Sequence, residues 1–141
     1  MQAPRTQTLD FKPFIDEINK LQKLEELQAS RLVEIARPLA NSLIGIIKSN
    51  RQIRRFHEYI VRFATDFAAG RVKIGEIKLL NYHMVYAAAR VDKKDVKEAM
   101  KKLAAFFDAM LKKTNTPGDL KKLRQMSEAI VAYHKLFGGR D

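Results

Sequence analysis

The sequence contains no cysteine and no tryptophan, and it has only 6 glycines and 4 prolines in 141 residues. Without cysteine the chain cannot form a disulfide framework, a thiolate zinc site, an iron–sulfur cluster or a cysteine nucleophile. The absence of cysteine also suits a reducing compartment. Few helix breakers and no sustained alternation of period two favour helices over strands. We therefore predict an all-α protein, a single bundle of five to six helices.

Long hydrophobic runs are missing as well. Apolar runs such as residues 84–89 fall far short of the ~18 residues that indicate a membrane span. Residues 1–8 are polar and lack the apolar segment of a signal peptide. We therefore expect a cytoplasmic protein with no membrane partner.

Apolar residues that recur at intervals of three and four predict the helices. We expect a loose N-terminal head over residues 1–12 and one helical bundle domain over residues 13–139. The second helix is apolar nearly all round, which predicts a place at the centre of the bundle, and Pro38 should kink or restart it. The first helix begins at Pro13, and the others are predicted at residues 32–48, 51–69, 74–90, 93–113 and 117–136 or 137.

Several helix starts carry recognisable capping residues. Ser49 or Asn50 can cap the third helix, and Asp92 with Asp95 forms a candidate capping pair for the fifth. The clearest signal is Thr-Pro-Gly-Asp at residues 116–119, which places a cap, a proline at the first helical position and an acid at the third.

Positive charge dominates the composition. Lysine and arginine number 27 against 16 acidic residues, which gives a formal net charge of +11. Residues 1–50 carry a net charge of +1 and residues 51–141 a net charge of +10. Such an imbalance points to an anionic partner, namely nucleic acid, an acidic membrane surface or an acidic protein, and the alternative is that the charge only keeps the protein soluble.

The most informative basic cluster lies at the start of the predicted third helix, where residues 50–56 read Asn-Arg-Gln-Ile-Arg-Arg-Phe. Arginine at a helix start is unfavourable for the helix dipole, and a bound phosphate would relieve this. Arg51 and Arg55 fall on one face, Arg54 occupies the neighbouring row and Arg62 continues the line. The alternative is a solvated face with ion pairs.

Further basic residues follow in the later helices, where a solvated face is again the alternative interpretation. Most phenylalanines fall on the apolar stripes and are expected in the core, whereas Tyr82, Tyr86 and Tyr133 could lie in the core or at the surface. We therefore expect contacts to phosphate and sugar, with no sequence preference. The further candidates are Lys78, Arg90, Lys94, Lys97, Lys121 and Lys122.

An enzyme is disfavoured by the sequence. His57, His83 and His134 are scattered singly, without the paired spacing of a metal site on one helix. A ribonuclease that uses His57 beside Arg54 or Arg55 lacks an evident second acid–base partner. We predict no catalytic residue, no metal site and no cofactor. A basic helical DNA-binding protein is a minor alternative, because the predicted third helix is too long and too apolar for a recognition helix.

Three segments in order resemble one known family, the small helical subunit of type III-A CRISPR effector (Csm) complexes. Residues 50–56 resemble its Ser-Gln-Ile/Leu-Arg-Lys/Arg-Phe signature. Residues 77–90 are similar to its Leu-x-Leu-Leu-Lys-Pro-Lys-Leu-Ala-Tyr-Ala-Ala-Gly-Arg segment, and residues 127–139 to its Glu-Ala-Ile-Val-Ala-Tyr-His-Lys ending. The chain departs from the pattern where Arg51 replaces serine and where residues 81–83 replace Lys-Pro-Lys.

The resemblance implies a non-catalytic, RNA-binding subunit, present in several copies beside the backbone and large subunits of a ribonucleoprotein. Its partners would be the guide RNA and the target RNA, whose base pairing supplies the sequence specificity. Arg54 and Arg90 match the arginines of the family pattern. Our leading hypothesis is a subunit that grips the RNA backbone, and the rival is a purely structural subunit that docks acidic protein partners. The predicted RNA-binding residues are Arg51, Arg54, Arg55, Arg62, Lys78, Arg90, Lys94, Lys97, Lys121 and Lys122.

Overall fold

The computed structural model describes residues 10–141, so most of the predicted N-terminal head lies outside the described residues. Six α-helices and two short 3-10 helices follow one another in this part of the chain without a β-strand, which confirms the all-α prediction. None of these helices combines the length with the apolar character that crossing a bilayer requires. The α-helices are α1 (Lys12–Lys20), α2 (Ala29–Ile44), α3 (Asn50–Ala68), α4 (Leu80–Ala89), α5 (Lys94–Lys112) and α6 (Pro117–Leu136).

The last helix, α6, packs against both α2 and α3. Asn50 contacts His134 and, seven residues later, His57 contacts Ser127, so α3 and α6 run antiparallel. The α2 helix runs parallel to α6, because the segment before α2 contacts the start of α6 and the segment after α2 contacts its end. The α4 helix pairs with α5, and α1 also packs against α5.

The most extensively buried helix is α5, with ten buried residues against six on α2. Phe56 of α3 meets Phe107 of α5 edge to face, with ring centroids 6.0 Å apart. The prediction that α2 lies at the centre was wrong, because Val33 and Pro38 belong to an exposed face. The apolar residues of α2 are numerous but cover only the side that faces the core.

The predicted helix starts are partly confirmed. The Ser49 hydroxyl accepts a hydrogen bond from the Arg51 amide at 3.2 Å and caps α3. The predicted pair at the start of α5 was wrong, because Lys93 occupies the N-cap position without a side-chain cap. Asp95 instead accepts from its neighbour Val96 at 2.8 Å. Asp92 is exposed at the edge of a surface cleft.

Two predicted helices differ clearly from the structure in where they begin or end. The α2 helix continues through Pro38 without a restart and ends at Ile44, before Gly45. The predicted fourth helix is split, since Ile74–Leu79 is a 3-10 helix and the α-helix starts at Leu80. The apolar spacing of three residues fits both helix types, which is why the pattern did not separate them.

A buried carboxylate joins the start of α6 to the 3-10 helix Leu24–Glu26. Asp119 is 1% exposed and accepts backbone hydrogen bonds from Glu25 at 2.9 Å, Asn115 at 2.9 Å and Thr116 at 3.1 Å. The Thr116 hydroxyl accepts from the Asp119 amide, which completes the predicted capping box. Burial opposes ionisation of Asp119, but the backbone donors outweigh it together and hold the pKa of Asp119 below its ordinary value.

Replacing Asp119 by alanine is therefore expected to destabilise the protein by about 2–4 kcal/mol, because three backbone N–H groups lose their acceptor. Asp16→Asn on the exposed side of α1 is the control, with an expected change within ~0.5 kcal/mol. Urea denaturation at pH 7 measures both. Equal effects of the two substitutions would contradict the structural role of Asp119.

Candidate nucleic-acid interface

Three exposed arginines lie along one face of α3. The helical repeat of 100° per residue places Arg51, Arg55 and Arg62 within a narrow strip, and all three side chains are exposed. None of them forms an ion pair with a residue in the range 10–141. Glu58 is exposed in the same strip and reduces its net charge by one. We call Arg51, Arg55 and Arg62 the arginine row.

Arg54 differs from the arginine row because a carboxylate already lies beside it. Its Nη1 atom is 3.4 Å from Asp141 Oδ1, and the Lys135 ammonium contacts the same oxygen at 2.9 Å. Lys135 first, and Arg54 second, lower the pKa of Asp141 below its ordinary value. This contact could not be predicted from local sequence, because Arg54 and Asp141 stand 87 positions apart.

The chain segment after α6 is anchored to the junction between α2 and α3. The Arg140 amide donates to the Lys48 carbonyl at 2.8 Å, and the Asn50 amide donates to the Arg140 carbonyl at 2.6 Å. His134, which is fully buried, donates from Nε2 to the Ile47 carbonyl at 2.7 Å and accepts at Nδ1 from the Asn50 side chain at 3.0 Å. We call this set of contacts the His134 clasp.

The His134 clasp places one wall of a cleft of about 410 Å³ at the start of α3. The opposite wall comes from the segment between α4 and α5 and from the first turn of α5. Sequence reasoning did not assign a role to several of these residues, because they meet only through the clasp. The cleft is lined by Ile46, Ile47, Lys48, Ser49, Gln52, Val91, Asp92, Lys93, Val96 and Arg140.

The ten predicted RNA-binding residues do not form a single cluster. Arg90, Lys94 and Lys97 lie in the chain directly beside residues that line the cleft, at the same end of the bundle as Arg51. Helix α5 is about 28 Å long, and its far end leads into the start of α6. Lys121 and Lys122 occupy the first turns of α6, and they therefore lie at the opposite end of the bundle.

Besides Arg54, two more of the ten residues have neighbours that hold their side chains in place. Lys78 donates to the Asn115 Oδ1 atom at 3.0 Å, close to the start of α6. The Arg90 guanidinium lies over the Tyr86 ring, 5.4 Å from its centroid. Both cations remain exposed.

The structure shows whether the three tyrosines with an undecided position lie in the core or at the surface. Tyr82 and Tyr86 of α4 are 71% and 65% exposed, and Leu79 and Val85 are exposed beside them. Tyr133 is half-buried and stacks on Phe137. The α4 surface is therefore the largest group of exposed apolar side chains that the described residues present.

Two histidines of the described residues link α3 to α6. His134 does so through the clasp, and His57 Nδ1 shares a hydrogen bond with the Ser127 hydroxyl, which also lies within hydrogen-bond distance of the Arg124 carbonyl. No group of three or more histidine or acidic residues within 10–141 is arranged to hold a metal ion. The arrangement can attract an anion through several cations.

The family comparison agrees with this geometry. The family model described as Csm2 Type III-A matches residues 26–140, so the chain belongs to the Csm2 family of type III-A systems. It is a small subunit of the type III-A CRISPR Csm complex and functions together with the other Csm subunits. The matched range contains the arginine row and all residues that line the cleft. No curated protein and no solved structure matched the chain.

The His134 clasp predicts a pH dependence of stability. Burial lowers the pKa of His134, and also that of His57, below the ordinary value of 6.5. As the pH falls through 6.5, these histidines therefore bind protons in the unfolded chain before they do so in the folded chain. The free energy of unfolding then decreases by up to about 1.4 kcal/mol per pH unit for each histidine. Above this pH range the two histidines no longer reduce the free energy of unfolding.

Urea denaturation between pH 7.5 and 5.5 tests this prediction. His134→Gln should lower stability at pH 7.5 and flatten its decrease at acid pH, because the glutamine does not titrate. The control is His83→Gln at an exposed position, which should leave the slope of the unsubstituted protein in place. A His134→Gln slope equal to that of the unsubstituted protein would contradict a neutral buried His134.

The clasp also requires glycine at position 139. A Cβ atom at Gly139 would overlap the His134 ring and lie 2.9 Å from the His134 carbonyl oxygen. Gly139→Ala is expected to cost about 1–3 kcal/mol by overpacking. Gly75→Ala meets no atom within 4 Å and is the matched control. Thermal unfolding compares the two variants, and a smaller loss for Gly139→Ala than for Gly75→Ala would refute the close contact.

Proposed function

We propose that this subunit binds the guide and target RNA backbone of the Csm complex without sequence preference and without catalysing a reaction. It would act in the cytoplasm, in several copies, alongside the backbone and large subunits. Base pairing between guide and target would supply the sequence specificity. The observation that carries this proposal is the arginine row, in which three exposed guanidinium groups share one face of a rigid helix.

The geometry of the row favours contact with a strand. Arg51 and Arg62 are separated by about 16 Å along α3, since an α-helix rises 1.5 Å per residue. A nucleic-acid strand that advances about 3.4 Å per nucleotide presents roughly five phosphates over that length. Arginine also presents a planar fork of donors that matches phosphate oxygens in pairs.

Charge supports the same proposal. The formal net charge of +11 raises the local concentration of any polyanion around the protein. If four to six of the predicted cations neutralise phosphates of a single strand, log affinity should fall with log salt at a slope of roughly −3 to −4. Specificity between sequences should be small, because phosphate contacts carry no sequence information.

Removing two members of the row tests the proposal. Arg51→Ala with Arg55→Ala should weaken binding of a labelled 20-nucleotide RNA at low salt and reduce the magnitude of the salt slope by about 1.4. The control removes the same charge from α1 through Lys12→Ala with Lys20→Ala, both at exposed positions. Fluorescence anisotropy across a salt series, with two unrelated RNA sequences, measures both effects.

The result that would refute RNA-backbone binding is equal loss in the arginine-row and α1 variants, or a slope near zero in the unsubstituted protein. Thermal unfolding of each variant verifies that the fold is intact. Incubation of the RNA with the purified protein, followed by gel electrophoresis, tests the absence of cleavage. A cleavage product that disappears with His57→Ala would refute a non-catalytic role.

The second candidate function is docking of protein partners, and the exposed α4 surface favours it. Leu79, Tyr82 and Tyr86 expose apolar area that a neighbouring subunit could cover, and Arg90 adds positive charge beside them. Experiments on the assembled complex distinguish RNA binding from protein docking. Substitution of the arginine row should reduce RNA content with assembly intact, whereas a purely docking role through α4 predicts unchanged RNA content in that variant and failed assembly when Tyr82 and Tyr86 are replaced by alanine.

A further inference from the structure

The cleft at the start of α3 has an unusual distribution of charge. Three exposed cations from three separate chain segments border it, namely Lys48, Lys93 and Arg140. Asp92 is the one carboxylate among the lining residues. An anion in the cleft would therefore meet a net positive rim, and the first turns of α3 and α5 add the positive ends of two helix dipoles.

The interior of the cleft differs from its rim. The apolar part of its lining comes from the buried residues Ile47 and Val96 and from the half-buried residues Ile46 and Val91. Gln52 also lines the cleft, and its carboxamide can both donate and accept hydrogen bonds. A partly apolar lining with a carboxamide and a cationic rim fits a ligand that joins a flat heterocycle to a phosphate.

The cationic rim is held in place by the fold. Backbone hydrogen bonds on both sides fix Arg140 against Lys48 and Asn50, and the His134 clasp fixes that junction in turn. The main chain of Arg140 is therefore ordered before any ligand arrives, which reduces the entropy lost on binding. The volume of about 410 Å³ lies in the range of small-molecule sites.

We propose that this cleft binds one nucleotide, with its phosphate held by Lys48, Lys93 and Arg140 and its base lying against Ile47 and Val96. The nucleotide has two possible sources, a residue of an RNA strand or a free mononucleotide. The inference rests on the proposed function only for the first source. For a strand, the cleft would add a contact with a base, whereas the arginine row contacts only phosphates.

Titration of the ¹⁵N-labelled full-length protein tests the site. Adenosine 5′-monophosphate is the probe, and adenosine and inorganic phosphate are the two part-ligands. The expected result is that the monophosphate shifts the Gln52 side-chain resonances and the backbone amides of residues 91–96 and 140. It should bind at least about tenfold more tightly than either part-ligand, since each of them lacks half of the contacts.

Substitution of the rim identifies the contacts. Lys93→Ala with Arg140→Ala should weaken binding of the monophosphate by roughly tenfold or more, because two charge-assisted hydrogen bonds are lost. Lys12→Ala with Lys20→Ala removes the same charge from α1 and should leave this affinity unchanged. Gln52→Leu keeps the charge constant and should alter the preference between adenosine and uridine monophosphates.

The outcomes separate this proposal from the proposed function. Competition between the monophosphate and a 20-nucleotide RNA indicates a strand as the source, and simultaneous binding indicates a free nucleotide. Inorganic phosphate that binds as tightly as the monophosphate would overturn the nucleotide site, as would shifts outside the cleft. RNA binding that persists in that case, with its dependence on Arg51 and Arg55, would leave the proposed function standing.

Discussion

The hydrogen bonds of the buried His134 imidazole hold together the end of the bundle that carries the cleft and the start of the arginine row. One ring nitrogen donates to the carbonyl of Ile47, and the other accepts from Asn50, so a single neutral ring joins the end of α6 to the junction of α2 and α3. The same junction carries the Arg140 backbone and the capped start of α3. The positions of the arginine row and of the cleft therefore both depend on a residue that contacts neither ligand directly.

Under the two proposals, the basic charge of the protein would serve two different kinds of contact. The arginine row is a convex helix face on which a strand can lie, whereas the cleft is concave and has a partly apolar lining. Crowding cations at one end of a bundle costs stability through mutual repulsion. Asp141, placed between Arg54 and Lys135, relieves part of that repulsion without neutralising the arginine row. A bound polyanion would relieve the remainder.

Local signals in the sequence predicted much of the fold. The three-and-four spacing of apolar residues gave the six helices, and the Thr116 capping box and the Ser49 cap needed only neighbouring residues to form. The candidate site was predicted less completely. The arginine row follows from helical periodicity, but the cleft depends on contacts such as that between Asn50 and His134, 84 residues apart. Apolar periodicity also could not distinguish the 3-10 helix Ile74–Leu79 from an α-helix, because both bury every third residue.

The place of α6 between α2 and α3 bears on how the protein is made. The apolar faces of α2 and α3 that pack against α6 are not covered until α6 reaches them, and α6 follows both helices in the chain. During synthesis, the first three helices must therefore leave the ribosome with part of their core surface still open to water. The packing that closes this surface joins residues 70 and 84 positions apart, so it forms only after α6 has been translated. Chaperone binding during translation should accordingly concentrate on α2 and α3.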